Sequence, residues 1–167
     1  MKRIPILWVL FSILIVLVAC SSKETVNEKI KKIVLPKDIP TFVKESDFAN
    51  IDWDKKAVKF GERSSIFGNE NKSGVIGVDM PSLNGQKWMW HLWGVDDADL
   101  TVVGFHKELQ TVHKILVNGW TIHVGGPNNG ADSHAPSAVK IPKSGEWAIL
   151  LYTNGKFFDT LVYDIKE

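Results

Sequence analysis

The sequence predicts an all-β fold, a β-sandwich of about immunoglobulin size. From Gly74 onward, short runs rich in β-branched and aromatic residues alternate with turn signals, which is typical of sandwiches and barrels. Asn154 and Gly155 separate the last two runs and strongly indicate a two-residue hairpin, because both central positions of such a turn need positive φ. After Lys32 there is no long amphipathic helix and no glycine-rich phosphate loop behind a strand, which disfavours doubly wound α/β folds.

The chain begins with the three parts of a secretory signal peptide. Two basic residues precede an apolar stretch, residues 4–18, and small residues follow it. The stretch is about fifteen residues long, short of the ~20 that span a bilayer. Residues 17–20 (Leu-Val-Ala-Cys) resemble the lipobox of bacterial lipoproteins, which are cleaved before a cysteine that carries a diacylglycerol. The resemblance implies a signal peptide over residues 1–19; an uncleaved signal anchor and an ordinary secretory peptide are the alternatives.

Lipidation of Cys20 would place the protein on the extracytoplasmic face of the cell membrane. A diacylglycerol supplies two acyl chains, palmitate for example, and two chains are what stable anchoring requires. Cys20 is the only cysteine in the chain. Once it is acylated no thiol remains, which excludes disulfides, thiolate catalysis and cysteine-ligated metals.

Three segments follow the signal peptide. Residues 20–32 are rich in Lys, Glu, Ser and Asn and are expected to form a flexible tether. Residues 33–71 predict an irregular extension that packs onto the domain, with room for one strand, and residues 72–167 hold the sandwich. Cleavage before Cys20 leaves 18 of the 20 Lys and Arg against 19 Asp and Glu. The resulting net charge near −1 disfavours nucleic acid as a partner.

Eight runs within residues 72–167 have the character of strands. The last of them has apolar residues at both odd- and even-numbered positions, so we expect it to be covered on both faces over part of its length. The predicted strands are Val75–Met80, Lys87–Trp93, Leu100–His106, Val112–Val117, Trp120–Val124, Ala138–Ile141, Trp147–Tyr152 and Lys156–Ile165.

Two stretches carry a family resemblance. One runs from residues 125–137 (Gly-Gly-Pro-Asn-Asn-Gly-Ala-Asp-Ser-His-Ala-Pro-Ser) through Ile-Pro-Lys-Ser-Gly-Glu-Trp at residues 141–147 to the closing hairpin. The other is Lys-Trp-Met-Trp-His-Leu-Trp-Gly at residues 87–94. They resemble a group of uncharacterised secreted lipoproteins from Bacillus-type Gram-positive bacteria. The resemblance implies an immunoglobulin-like β fold on a membrane-anchored extracytoplasmic protein, and it implies no reaction. Glu146 departs from the group, which usually has an apolar residue there.

Three tryptophans crowd one predicted strand. In an extended strand, Trp88 and Trp90 share a face and Trp93 lies on the other. An aromatic platform that stacks on sugar rings of the cell wall is one interpretation. Burial in the core is the other, because each large aromatic buries ~150–250 Å² and a small domain needs that area. We expect at least two of the three to be core residues.

The glycine-rich segment 125–137 is the main candidate binding loop. Its polar residues Asn128, Asn129, Asp132 and His134 are candidate binding residues, because such residues concentrate on loops held by rigid sandwiches. A long crossover between two sheets, fixed by the two prolines of the segment, is the alternative interpretation.

The histidines do not have the spacing of a metal site. The chain has no His-Glu-x-x-His motif and no histidine pair four apart on a helix, so the sequence predicts no metal, no cofactor and no catalytic residue. One constellation stays open: His123, Asp132 and His134 would suit a metal-assisted hydrolase of the cell envelope if the fold brought them together.

These observations favour a membrane-anchored, extracytoplasmic lipoprotein without enzymatic activity, acting as a binding or accessory module. Its expected partners are the membrane, through the lipid anchor, and a protein or component of the cell envelope. The metal-assisted hydrolase and a carbohydrate-binding module that uses one exposed tryptophan are the alternatives.

Overall fold

The structure, a computed structural model, describes residues 32–61, 65–80 and 82–167. The predicted signal peptide, the lipidation site Cys20 and the tether up to residue 31 lie outside the described residues. Within the described residues there are one short helix and ten strands. These elements are α1 (Glu45–Ala49), β1 (Val58–Phe60), β2 (Ile66–Asn69), β3 (Ser73–Ile76), β4 (Gln86–Leu92), β5 (Asp97–His106), β6 (Thr111–His113), β7 (Thr121–Gly125), β8 (Ser133–Val139), β9 (Gly145–Thr153) and β10 (Lys156–Ile165).

The strands form one curled antiparallel sheet. Their order is β1-β2-β3-β4-β8-β7-β5-β9-β10. The strands β6 and β7 pair with the same edge of β5, β7 with residues 97–101 and β6 with residues 104–106, and β9 pairs with the other edge. The prediction of an all-β fold is confirmed, and the curled sheet is consistent with a sandwich whose two walls stay joined. In the described part of the chain, no helix combines the length and the apolar character needed to cross a membrane.

The larger hydrophobic core fills the inside of the curl. In β9, Trp147, Ile149 and Leu151 point into it, while Ala148 and Leu150 point to the opposite face. This is the two-residue period of a strand that is covered on both sides. The long apolar runs of β5, β9 and β10 therefore reflect strands that are covered on both faces.

A second core lies on the outer face of β5, β9 and β10, where residues 33–53 cover it. Val43 and Phe48 of this segment are 4 % exposed, and the rings of Phe48 and Phe105 lie 4.9 Å apart. The hydroxyl of Tyr152 donates to Asp47 Oδ2 at 2.9 Å, which attaches α1 to β9. Both faces of β10 are covered at Leu161 and Val162, as its sequence predicted.

Hydrogen bonds from β10 hold the curl together. The carboxylate of Asp159 accepts from Asn69 Nδ2 at 2.9 and 3.0 Å and from Ser73 Oγ at 2.6 Å. Further along, Ala57 N donates to Val162 O at 2.9 Å. The last strand is thereby joined to the first strands of the sheet.

Three of the predicted strands depart most from their predicted bounds. β3 stops at Ile76 because Gly77 has φ of +101°, and a Cβ there would lie 2.6 Å from Lys87 O. The chain leaves β5 after His113, and the next residues pair with the end of β8 through Val117 N to Ala138 O at 3.0 Å. β8 begins at residue 133, inside the segment interpreted as a loop, and ends at residue 139.

The extension contributes more regular structure than its sequence indicated. It supplies α1 and two strands, β1 and β2, where the sequence had room for one strand. The strands are three and four residues long, too short to show a period. β2 also includes Gly68, at which a Cβ would lie 2.1 Å from Ser73 O, so a glycine permits the close β2–β3 pairing.

Candidate functional site

The candidate binding loop is a tight turn followed by a strand. Asn128 and Ala131 exchange backbone hydrogen bonds of 2.9 and 3.1 Å around Asn129 and Gly130. These two residues have φ of +51° and +83°, the left-handed values of a two-residue hairpin turn. The same Asn-Gly signal that indicated the turn at residues 154–155 was present here, and it identifies the turn.

The polar side chains of this segment bond within the protein. Asp132 Oδ2 accepts from Gly94 N at 2.6 Å, and His134 Nδ1 lies 2.9 Å from Gly126 O, to which its N–H donates. Asn129 Nδ2 is 2.9 Å from Nε2 of His91, a fully buried histidine that the sequence analysis did not single out. The contacts of Asp132 and Asn129 hold the turn against β4 and the residue that follows Trp93, and the contact of His134 joins β8 to the residue after β7. We therefore assign these three side chains a structural role.

The buried His91 has a defined tautomer. Its Nδ1 lies 3.2 Å from Met89 O, which can only accept, so Nδ1 carries the proton and Nε2 accepts from Asn129. The ring of His134 stacks on it with centroids 6.4 Å apart. His91 thus anchors the turn from within the sheet.

The three residues of the hydrolase alternative each contact different partners. His123 lies between Asp97 and Asp99, with each ring nitrogen 3.5 Å from a carboxylate oxygen, and its side chain is 63 % exposed. Asp132 faces Gly94, and His134 faces Gly126. In the described residues, no group of three His, Asp, Glu or Cys side chains could hold a metal ion.

Two of the three candidate stacking tryptophans are core residues. Trp88 and Trp90 are 0 % and 1 % exposed, and their indole N–H groups donate to Ser82 Oγ at 3.1 Å and Ser137 Oγ at 2.8 Å. Neither can present a ring face to a ligand, which corrects the stacking interpretation for both. Trp93 remains partly exposed, with its ring 5.4 Å from that of Phe60.

A cleft of about 630 Å³ lies where β10 meets the segment before β1, and no motif pointed to it. The volume is that of a small-ligand or peptide site. The lining combines an apolar floor with a charged rim. The floor contains Ala57, Phe67, Val78 and Tyr163, and the remaining lining residues are Lys56, Asp79, Met80, Val162, Asp164, Lys166 and Glu167.

The floor of the cleft is the open end of the larger core. Val78 and Tyr163 are 8 % and 6 % exposed, and the hydroxyl of Tyr163 donates to Phe67 O at 2.9 Å. Burial, and then the negative charge of Asp159, raise the pKa of Tyr163 well above its ordinary value. Tyr163 therefore stays neutral, and its one polar group is already bonded.

One wall of the cleft is the edge of β10. Backbone groups of even-numbered residues face away from β9: Thr160 O accepts from Asn69 Nδ2 at 3.0 Å, and Val162 O accepts from Ala57 N at 2.9 Å. Asp164 has the same orientation, because its partner Glu146 turns its own carbonyl to Lys107 N on the far side. Within the described chain, no backbone hydrogen bond closes the edge at Asp164.

The rim of the cleft is more negative than positive. Lys56 Nζ is paired with Glu146, which also accepts from Lys107 Nζ at 2.7 Å. Glu146, where the related lipoproteins usually have an apolar residue, therefore has two basic partners. Among the described rim residues, Lys166 then stands against Asp79, Asp164 and Glu167. The arrangement favours a ligand that is apolar on one side and basic at its edge.

Comparison with known proteins gives a family and a fold. The model of a family described as "Domain of unknown function (DUF4871)" matches residues 42–163. The chain belongs to this family. The DUF4871 match confirms the resemblance at the level of an uncharacterised family, and no curated protein matches the chain.

A solved structure shares the fold of this DUF4871 protein. It is the crystal structure of a candidate lipoprotein from Bacillus anthracis, which is 19 % identical, with a TM-score of 0.62. The similarity covers 77 % of this chain and 96 % of that chain. At this identity the comparison shows the fold alone.

Proposed function

We propose that the protein is a lipoprotein anchored to the extracytoplasmic face of the membrane through Cys20, and that it acts without enzymatic activity as a binding or accessory module. The observation that carries the binding role is the cleft, about 630 Å³ in volume, with an apolar floor and a charged rim. Its ligand is a protein or another component of the cell envelope.

Two observations support the membrane address. Residues 17–20 have the pattern of a lipobox behind a short apolar stretch, and Cys20 is the only cysteine in the chain. The structurally similar protein from Bacillus anthracis is itself described as a candidate lipoprotein. A two-chain anchor holds a domain stably at a membrane surface.

The arrangement of polar side chains supports binding rather than catalysis. A hydrolase needs an acid, a base or a metal ligand set directed at one point. Asp132 and His134 instead bond to backbone groups of Gly94 and Gly126, and His123 lies beside two other carboxylates. The cleft needs no such convergence, because an apolar floor and rim charges suffice to bind.

Co-purification from membranes tests the binding role. We expect Met80→Trp, which places a bulky ring on the rim, to lose envelope partners that the wild-type full-length chain retains. Val117→Trp is the matched control, because Val117 is 55 % exposed and Met80 53 %, and Val117 does not line the cleft. The measurement is the set of proteins recovered with each variant from detergent-solubilised membranes of the native host.

Two results would contradict the proposal. One is recovery of the same partners by wild type and Met80→Trp. The other is a reproducible hydrolase activity on envelope material that is lost in His134→Ala or Asp132→Ala.

Trp93 supports a second candidate function, a carbohydrate-binding module. It is the partly exposed member of the three tryptophans, and its ring forms an aromatic pair with Phe60. Aromatic rings of this kind stack on the apolar faces of sugars. Tryptophan fluorescence that changes with peptidoglycan or teichoic acid fragments, and no longer does in Trp93→Ala, would favour this function over the cleft.

A further inference from the structure

We propose that the cleft binds an extended peptide segment of an extracytoplasmic protein, which adds as a strand to the open edge of β10. An apolar side chain of the peptide lies on the floor, and its basic neighbours face the rim. The inference rests on the proposed binding function and specifies its ligand.

The outward-facing backbone groups of β10 are hydrogen-bonded at residues 160 and 162, and the edge is open at residue 164, near the end of the strand. At residue 160 the amide donates to Asp159 Oδ1 at 2.9 Å and the carbonyl accepts from Asn69. At residue 162 the carbonyl accepts from Ala57 N, after which the chain turns away to pair β1 with β2. The amide and carbonyl of Asp164 are the next groups in this row, and Asp164 lines the cleft. An exposed row of this kind pairs with an added strand.

The floor fits one apolar side chain of such a strand. Successive side chains of an extended peptide point to opposite faces, so alternate residues would meet the same surface. On the inner side of β10 that surface is formed by Phe67, Val78 and Tyr163, which are continuous with the larger core. Met80, 53 % exposed, borders it and can adapt to side chains of different shape.

The rim selects the charge of the intervening residues. Asp79, Asp164 and Glu167 outnumber Lys166, since Lys56 is already paired with Glu146. A peptide that carries lysine or arginine beside its apolar residue complements this rim, whereas an acidic peptide is repelled.

The opposite edge of the sheet is less suited to the same use. β1 is three residues long and has Lys59 at its centre, and both a short edge and a lysine discourage strand addition. Its Val58 is 58 % exposed and does not line the cleft.

A defined peptide probe tests the inference. The probe is an end-blocked fluorescent hexapeptide in which valine and lysine alternate, titrated against the full-length chain in detergent micelles and followed by anisotropy. We expect saturable binding that weakens about tenfold when glutamate replaces lysine. In an added strand, the N–H groups of alternate residues face the same edge. N-methylation of one set, the three valines or the three lysines, should therefore weaken binding about tenfold, as expected for one or two lost backbone bonds. N-methylation of the other set should leave binding unchanged.

Protein variants provide the matching changes on β10. Asp164→Pro removes the amide at the open edge, a position where proline is tolerated, and should weaken the probe about tenfold. Asp164→Asn keeps the amide and should weaken it less. Native hydrogen exchange at residues 164–166 should slow when the probe is bound, which reports the pairing directly even if Asp164→Pro does not fold.

The outcomes separate this inference from the proposed function. Three results would overturn strand addition. They are no binding of the probe, equal binding of both N-methylated forms, and displacement of the probe by hexadecanoate with unchanged hydrogen exchange at residue 164. If Met80→Trp nevertheless loses its membrane partners while Val117→Trp keeps them, the cleft still binds and only the peptide assignment fails. If both experiments fail, the proposed function fails as well.

Discussion

Asp159 is the residue that joins the two ends of the curled sheet. Its carboxylate accepts hydrogen bonds from Asn69, Ser73 and the backbone of Thr160 at 2.6–3.0 Å. Ser73 is 1 % exposed, so no solvent would replace the lost acceptor. Four donor contacts thus converge on this carboxylate.

Asp159→Ala should destabilise the fold by about 2 kcal/mol or more, since it leaves buried donors without an acceptor. Urea unfolding measures the change in the free energy of unfolding. The control is Asp164→Ala on the same strand, an exposed site where about 0.5 kcal/mol or less is expected. Equal effects at the two positions would show that Asp159 does not close the curl.

His113 makes stability depend on pH in the weakly acidic range. Burial lowers the pKa of its ring below the ordinary value of 6.5, and the nearby His106 lowers it further. The ring packs on Trp147 at 5.2 Å and is hydrogen-bonded to Thr111 Oγ1 at 2.8 Å. A depressed folded-state pKa means that the unfolded chain binds the proton first.

The contribution of His113 is therefore present above pH 6.5 and is lost as pH falls from there toward the folded-state pKa. We expect the free energy of unfolding to decrease between about pH 7.5 and about pH 5.5. His113→Gln should make that decrease smaller, as urea unfolding at the two pH values will show. An unchanged decrease would assign the effect to other groups.

Single residues show where sequence reasoning succeeds. At least two of the three strand tryptophans were expected to be core residues because a small sandwich needs their area, and Trp88 and Trp90 are buried. The burial of His91 could not be expected, since its hydrogen-bond partner Asn129 lies 38 positions away. Side-chain size is readable from the sequence, whereas hydrogen-bond partners distant in the chain are not.

At the scale of elements, two Asn-Gly turns shape the hairpins of the sheet. Gly155 has φ of +75°, and a Cβ there would lie 3.3 Å from the ring of Phe42. Gly130 has φ of +83°, and nothing lies within 4 Å of its Cβ position. The two sites thus share the backbone requirement and differ in their surroundings.

Gly130→Ala should cost about 1 kcal/mol for the left-handed backbone alone. Gly155→Ala should cost more, because the ring of Phe42 must also move. Thermal and urea unfolding of both variants, compared with wild type, measure the difference. A smaller cost at residue 155 than at residue 130 would contradict the tight packing of the β9–β10 hairpin on residues 33–53.

The two turns also show why one was predicted and the other was not. Long β-rich runs flank residues 154–155, so the turn signal and the strand signals predicted the same hairpin. Before residues 129–130 stand two glycines and a proline, and the following strand contains Pro136, so strand propensity there is low. β8 forms because β4 pairs along all of it from residue 133 to residue 139. Tertiary pairing, absent from local sequence, outweighed propensity.

At the scale of the whole molecule, the cleft forms because the sheet curls until its last strand meets the first strands. Its floor combines Phe67 and Val78, from the early part of the described chain, with Tyr163 from near its end. The order of the strands in the sheet decides that these residues meet, and no spacing in the sequence encodes it. For this reason the sequence predicted the class of fold and the membrane address, while the cleft became visible only in three dimensions.

The membrane address has its own test. Cys20→Ser removes the only thiol and should shift the protein from the membrane fraction to the soluble or secreted fraction, with loss of labelling by a palmitate analogue. Fractionation of the native host with metabolic labelling measures both. Membrane retention of the serine variant would indicate an uncleaved anchor in place of the diacylglycerol.

Photo-crosslinking in living cells can show whether this protein binds an envelope partner through its cleft. A photoreactive phenylalanine analogue is placed at residue 80 on the rim and, in a second strain, at the equally exposed residue 117. We expect a discrete crosslinked adduct from position 80 that is absent from position 117. No adduct at position 80, or the same adducts from both positions, would contradict binding through the cleft.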